Sequence, residues 1–407
     1  MVESPVTGAG ADAARFLDHL GFRTLLLAHN PDAMPEYLRD QLDKHDVRVV
    51  RTDTQSVAAM RATICTEVDG EPAAVLSFYE YYAAQAAELA DELGLPGPNP
   101  EAVRVCRNKA DQRDTLRCTN LSLRYARCGT PEEAAQTARD MGRPVVVKPT
   151  NLTGSVLVRR CETPEEAAEA AAAVLHQESY LGVPVTPEVV VEEFIEGREY
   201  SVELMHGQAV AVTGKELAAG TVIEIAHTVP APIHDGIHAA LASAAEATCK
   251  MIGLGWGPAH VEVRREDSGR IVVIEVNARV AGDRIPELVR LVTGRDLVQE
   301  QICAALGREV DRAPCCGART AMICFRQGPG GRLDRVGGED RAHAVPGVRE
   351  VHVRIAQGQE HRLNDSNQDR VAWCIATGED ATEARLRAQE ALGLLDLSWT
   401  AAEGDGQ

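Results

Sequence analysis

Positive charge is scarce in this chain: 42 lysines and arginines stand against 61 aspartates and glutamates, leaving a formal charge of -19 at pH 7. That balance repels a phosphate backbone, and no basic run or aromatic-interleaved basic stripe offers a local exception, so nucleic acid is not an expected partner. Paired cysteines are also missing. The 11 cysteines are an odd number, with no CxxC pair and no Cys/His spacing suited to zinc. They read as reduced thiols of a cytosolic protein, including the neighbours Cys315 and Cys316, where a disulfide would be strained. No stretch approaches the ~20 apolar residues of a membrane span. The opening MVESPVTGAGADAARF lacks a secretory core, so no membrane association and a cytoplasmic location are expected. Signature loops are absent as well. There is no GxxxxGK[ST] and no GxSxG, and GLGWG at 253–257 follows a helix instead of a strand, which disqualifies it as a dinucleotide fingerprint.

What remains is an ordinary globular composition, 44% apolar and 25% charged, over 407 residues. That length exceeds what one hydrophobic core usually serves, so two or three domains are expected. Apolar runs at 22–28, 47–51 and 73–78, with a polar helical stretch at 35–44, predict the start of a parallel α/β sheet. A helix at 81–93 stops at Gly94, and GLPGPNP at 94–100 reads as the exit from this first unit. The pattern then predicts a helix opening at NKADQR, a buried strand at 144–149 and a helix at 162–175. Strands follow at 188–193, 199–205 and 222–225, then a helix at 235–252 and a hairpin, PAHVEVRREDSGRIVVIEVNAR, turning at 266–269. Beyond Pro314 come short strands, glycine-rich turns, a closing helix at 381–392 and a frayed tail, AAEGDGQ.

The hairpin carries the most chemistry. Strict alternation along IVVIEVN places Ile271, Val273, Glu275 and Asn277 on one face, and Glu262 on the preceding strand can face the same pair. Carboxylates gathered inside an apolar hairpin are costly unless a cation sits among them. Two carboxylates and an amide oxygen are hard ligands suited to magnesium. A hairpin with one solvated face accounts for the same pattern. Arg279 continues the face with bidentate geometry for a carboxylate or phosphate, which favours a site. Lys148 ends the run VVVK and is followed by TNLTGSV, where Gly154 and Ser155 belong to a turn able to aim N–H groups at phosphate. Taken singly, Lys148 also reads as a strand-end lysine, Lys109 as a helix-start surface lysine and His227 as a hydrogen-bonded structural histidine. His234 and His238 have helical spacing but no third ligand, and read as a solvated helix start.

In order and spacing these pieces resemble the ATP-grasp superfamily over nearly the whole chain, most closely its amino-acid and dipeptide ligase branch. The resemblance implies an α/β and α+β chain with the ATP-grasp fold: an N-terminal biotin-carboxylase-like α/β domain at 1–107, a nucleotide- and metal-binding domain at 108–312, and a small C-terminal lobe at 313–407. It implies ATP with magnesium, for which manganese can substitute. NKADQR and PVVVKPTNLTGSVLV resemble the segments that carry the two phosphate lysines, Lys109 and Lys148, with Gly154 and Ser155 in the loop. VVVEEFIEGREYSVE resembles the adenine hinge, with Glu192, Glu193 and Ile195 along the base and Glu199 on the ribose. The hairpin resembles the metal site, implying Glu262, Glu275 and Asn277 as ligands and Arg279 at the acyl-phosphate end. EIAHTVPAP is similar to a ligase segment whose histidine lies near the phosphate, here His227. Glu80, in SFYEYY at the end of a first-domain strand, reads either as the holder of a substrate ammonium or as a surface glutamate, and Asp283 and Arg284, just past the hairpin, are expected to shape the acceptor pocket.

The implied reaction joins an amino acid or similar carboxylate to an amine or second amino acid through an acyl phosphate. Amino-acid-like small molecules would be the partners, and a homodimer is an assembly the resemblance allows. A carboxylating enzyme acting on bicarbonate and a non-catalytic ATP-binding subunit are the rival readings. Two departures from the family pattern stand out. Leu157 occupies a usual glycine position. HNPDAMP replaces the frequent glycine-rich turn after the first strand, with some twenty extra residues before it.

Overall fold

A computed structural model describes residues 1–5, 8–219, 221, 223–310, 317–363 and 366–401. Cys315, Cys316, Val222, the expected boundary at 312/313 and the tail beyond Ala401 lie outside the described residues.

The N-terminal unit begins earlier than its apolar runs suggest. Leu25–Ala28 and Arg48–Arg51 pair in parallel as expected. Val2, however, bridges Leu27 in parallel and donates its N–H to the Leu76 carbonyl at 2.8 Å, so the first sheet contact is made at Val2. Ahead of HNPDAMP, Gly8, with a φ of 80°, precedes the helix Ala9–His19. The expected strand at 73–78 forms no ladder. The side chain of Ser77 donates to the Val2 carbonyl at 2.8 Å and that of Gln301 to the Ser77 carbonyl at 3.4 Å, supplying contacts that a neighbouring strand would otherwise make.

A four-stranded antiparallel sheet follows, ordered Tyr125–Cys128, Val189–Glu193, Val145–Pro149, Arg159–Cys161. Its two central strands are buried along their whole length, which is why they read as unbroken valine runs. The helices Pro131–Met141 and Pro164–Leu175 cover it. Each is capped by a threonine hydroxyl (Thr130, Thr163), starts on proline and carries two glutamates in its first turn.

The larger sheet has eight strands, in the order Ile271–Asn277, Pro258–Arg265, Arg198–Met205, Gln208–Leu217, Glu224–Val229, Thr320–Gln327, Arg370–Gly378, Val348–Val353. Three of these come from residues after 317, so the C-terminal segment extends the same sheet. Near the hairpin one face is apolar: Val202, Leu204, Val261, Val263, Val273 and Val276 pack on Leu241, Ala245 and Cys249 of the alanine-rich helix Asp235–Ile252. That helix ends at Gly253, whose φ of 91° suits glycine. The outer edge of the hairpin is covered by the helix Lys109–Leu116, from which Gln112 exchanges hydrogen bonds with Val276 at 2.8 and 3.1 Å. No helix among the described residues is long and apolar enough to cross a membrane.

Candidate active site

The hairpin does not alternate strictly. Glu262 pairs with Glu275, but the next pair is Val263 with Val273, so Ile274 is an extra residue at a β-bulge. The bulge moves Val272 and Ile274 toward Leu123 and Ile195, while Ile271, Val273 and Val276 turn into the core beneath the helix Asp235–Ile252. The expected grouping of Ile271 and Val273 with Glu275 and Asn277 is thereby corrected. Ile274 takes their place beside the polar pair on the cavity wall.

That cavity, about 800 Å³, lies between the two sheets. Its wall includes Lys109, Lys148, Gly154, Ser155, Glu192, Glu193, Ile195 and Glu199, together with His227, Glu262, Glu275, Asn277, Arg279, Asp283 and Arg284. Lys109 is the first residue of a helix capped by the Asn108 side chain, and its backbone N–H is tied to the Thr150 carbonyl at 2.8 Å. Its ammonium donates to the Leu152 carbonyl at 2.5 Å and pairs with Glu275 at 3.1 Å. Lys148, buried at the end of its strand, pairs with Glu192 at 2.7 Å. Arg113 holds the other Glu192 oxygen at 2.5 Å and donates to the carbonyls of Val273, at 2.7 Å, and Ile274 at the bulge. Burial alone would raise the Glu192 carboxyl, but Arg113 and Lys148 outweigh it and hold it down at about 2. Glu193 is turned away from the cavity by Arg143 at 3.0 Å and Arg270 at 3.3 Å, so its backbone is what it offers there.

Across the sheet face, Lys215 sits among three carboxylates: Glu224 at 2.5 Å, Glu262 at 2.7 Å and Glu199 at 3.7 Å. Burial disfavours its charge, yet these acids raise the ammonium well above its ordinary range. Glu262 is correspondingly held well below the usual carboxylate range, against the effect of burial, by Lys215 and His260. His260 bridges Glu203 at 2.9 Å and Glu262 at 3.2 Å. The Asn277 amide lies 3.3 Å from a Glu275 oxygen and 3.1 Å from a Glu80 oxygen. With its nitrogen toward them it donates to both, and with its oxygen toward them it completes an all-oxygen set suited to a hard cation. Glu262, Glu275 and Asn277 therefore fit a magnesium ion by donor chemistry. Glu224, His227 and Asp283 also bring ligand atoms within 4.8 Å of one another. Lys215 and Arg370 already neutralise those acids, so a second cation there would meet two others.

His227 is fully buried, its Nε2 3.2 Å from Asp283 and its Nδ1 without a partner among the described residues. Arg370 clamps Asp283 at 2.7 Å and Glu224 at 2.9 Å while its guanidinium lies over Phe325. Burial alone would raise Asp283, but Arg370 and then His227 hold it well below its ordinary value. Arg284 is engaged by Asp12 and Glu350, each at 2.9 Å. Glu80, a candidate holder of a substrate ammonium, is buried behind Arg279, which it holds at 2.5 Å, and it also pairs with Arg107 at 3.1 Å. Each of its oxygens keeps a lone pair for a further donor. Over the cavity mouth, Gly154, Ser155 and Leu157 have φ values of 71°, 59° and 56°. Leu157 thus stands at a left-handed position where a glycine would relieve about 1 kcal/mol.

Residues 141–287 match the ATP-grasp domain, and residues 325–400 match the L-amino acid ligase C-terminal domain 2. The chain belongs to the ATP-grasp family. This ATP-grasp chain is 30% identical to the uncharacterized protein y4rH of Sinorhizobium fredii, over 93% of its own length and 78% of the relative's. It is 26% identical to the alanine–anticapsin ligase of Bacillus subtilis, over 71% of its length and 64% of that ligase's. Its fold superposes on the L-amino acid ligase from Bacillus licheniformis with a TM-score of 0.78 at 20% identity, covering 98% of both chains.

Sequence reasoning missed Lys215, His260, Glu224, Arg370 and Arg113. For two of these a signal existed: His260 is two residues from Glu262 on one strand, and Lys215 interrupts an apolar strand. Arg113 lies within NKADQR but had no visible target. Its partners are 79 and 160 residues away.

Proposed function

We propose that this ATP-grasp enzyme is a carboxylate–amine ligase that transfers the γ-phosphoryl of ATP to a substrate carboxylate and joins the resulting acyl phosphate to an amine or second amino acid, releasing ADP and phosphate. The observation that carries the reading is one cavity whose wall brings Lys109, Lys148, Lys215 and Arg279 together with the in-register pair Glu262–Glu275. Cations preorganised around a phosphoryl group stabilise charge on its oxygens during in-line transfer.

Glu262, Glu275 and Asn277 would hold magnesium, or manganese in its place, which supplies charge neutralisation on the phosphate oxygens. Ile195, Ile274 and Leu123 offer an apolar slot for the base next to the backbone of Glu192 and Glu193, with Glu199 placed for the ribose. Lys109 and Lys148 neutralise phosphate oxygens, and Gly154 and Ser155 bring backbone N–H groups over them. Arg279, held by Glu80, orients the acyl phosphate, and its Nη1 is spent on the Val280 carbonyl at 2.8 Å. The amine attacks the acyl carbon, the carbon–oxygen bond to phosphate breaks, and phosphate leaves with the electron pair as the amine loses a proton. His227 contacts the phosphate end in this scheme, with Asp283 and Arg284 on the acceptor side.

We assign residues 1–107, 108–312 and 313–407 to the N-terminal, nucleotide-binding and C-terminal units. A phosphate-release screen of single and paired amino acids with ATP and magnesium, with product masses measured, tests the proposal. Phosphate release coupled to a dehydrative mass is expected. Release that needs bicarbonate and no amino acid would replace the ligase with a carboxylating enzyme.

A further inference from the structure

Residues after 317 build the cavity wall farthest along the chain from the nucleotide hinge, from Ile323, Phe325, Arg354, Asn367, Gln368, Arg370 and Trp373. Charge on this wall and its neighbours is matched except at one position. Asp283 is taken by Arg370 and His227, Glu224 by Lys215 and Arg370, Glu350 and Asp12 by Arg284, and Glu80 by Arg107 and Arg279. Arg354 has no carboxylate within salt-bridge distance among the described residues. Its guanidinium donates through Nη1 to the carbonyls of Arg370 at 3.2 Å and Asn367 at 3.5 Å. Among the described residues its Nε and Nη2 have no partner, and its surface is open to the cavity. Burial disfavours its charge, and the neighbouring Arg370 adds to this against the pull of Asp283, so an anion arriving there offsets a charge left short of compensation.

We propose that Arg354 anchors a carboxylate of the reactant pair other than the one that is activated, making this wall selective for a substrate that carries a second anionic group. The inference rests on the ligase reading and narrows its substrate class. A guanidinium presents two parallel N–H donors, and a planar carboxylate is the partner that uses both. Trp373 and Phe325 line the same wall and supply apolar atoms for the intervening carbons. Two sources supply such a group: the α-carboxylate of an acceptor amino acid, or the side-chain carboxylate of an acidic donor. A simple amine joined to a monocarboxylic donor supplies neither.

The test uses the full chain and its Arg354→Ala and Arg354→Lys variants with ATP and magnesium. Acceptors are offered as matched pairs of an amino acid and its carboxamide, and donors as aspartate against asparagine and glutamate against glutamine. The wild type is expected to favour the anionic member of one pair by about tenfold or more in kcat/KM, on the order of 1.4 kcal/mol. Arg354→Ala should lose that preference through KM, and Arg354→Lys should recover part of it. A preference in the acceptor arm identifies the α-carboxylate as the source, and one in the donor arm identifies the side chain. An anionic-to-neutral ratio equal in wild type and Arg354→Ala overturns the proposal. If no pair releases phosphate, the ligase reading fails separately, and thermal shift then decides: stabilisation by glutamate over glutamine that the Ala variant loses supports the anchor, and equal shifts overturn it. Unfolding midpoints of both variants check that each is folded.

Discussion

Glu262 and Glu275 stand opposite each other in register across the hairpin, yet each carboxylate is paired with a different lysine, Lys215 at 2.7 Å and Lys109 at 3.1 Å. The lysines come from a strand and from a helix start far apart in sequence. The array is therefore balanced before any ligand arrives, and a divalent cation binding there would release the two ammonium groups toward phosphate oxygens. Each acid thus belongs to the metal proposal and to the placement of a phosphate-binding lysine at once.

Replacing Glu275 by Ala should abolish turnover while the protein stays folded, because the Lys109 ammonium keeps the Leu152 carbonyl. Phosphate release measured across a magnesium titration checks this. Wild-type rates at saturating magnesium would remove Glu275 from the metal site.

Lys148→Ala should lower kcat by about a hundredfold or more, the scale for losing one preorganised charge-stabilising donor. Steady-state kinetics with ATP and the amino acid varied separately provide the readout. A change confined to the KM of the amino acid would move Lys148 into the substrate pocket.

The partner of Lys148 gives a pH-dependent prediction. The folded Glu192 carboxyl sits at about 2, below its ordinary 4.5. A depressed carboxylate adds stability that is present above the unfolded pKa and is lost as pH falls through the folded one, here on the order of 3 kcal/mol. Glu192→Gln should therefore unfold at lower urea than wild type near neutral pH, and the gap should close as pH falls from 4.5 toward about 2. A gap independent of pH would show that the Arg113–Glu192–Lys148 cluster contributes by packing alone.

Glu80 makes a sharper contrast. If it positions Arg279 instead of receiving a substrate ammonium, Glu80→Gln should lower kcat about tenfold or more with little change in the KM of the amino acid, since the interaction it supports is realised in the transition state. Kinetics with the amino acid varied separate the two roles. A raised KM with kcat preserved would assign Glu80 the ammonium role.

Much of this was legible in the sequence for identifiable reasons. The valine strand ending in Lys148, the Asn108-capped helix starting at Lys109 and the hairpin with Glu262, Glu275 and Asn277 are local patterns, and the cavity brings them together. Ile274 was assigned to the wrong face because one inserted residue at a bulge reverses the alternation, and nothing in IVVIEVN marks where. The sheet contact at Val2 has no local pattern, because it is a single bridge to Leu27 with a bond to Leu76. Arg370 and Glu224 lie 146 residues apart, and only the antiparallel closure of the eight-stranded sheet makes them neighbours.

The nucleotide product separates this chemistry from its look-alikes, and it should be ADP with free phosphate, never AMP with pyrophosphate. A cation held by Glu262, Glu275 and Asn277, with Lys109 and Lys148 beside it, would neutralise the β- and γ-phosphates and leave the γ-phosphoryl as the group presented toward Arg279. An adenylating enzyme would present the α-phosphate instead. Hydroxylamine supplied with the carboxylate substrate should intercept the acyl phosphate as a hydroxamate, with ADP formed in step. Chromatography of the nucleotides together with a colorimetric hydroxamate assay reads both quantities from one reaction. AMP as the main product would overturn the acyl-phosphate mechanism, because no arrangement of these lysines and Arg279 around the γ-phosphoryl would then be relevant to the bond that breaks.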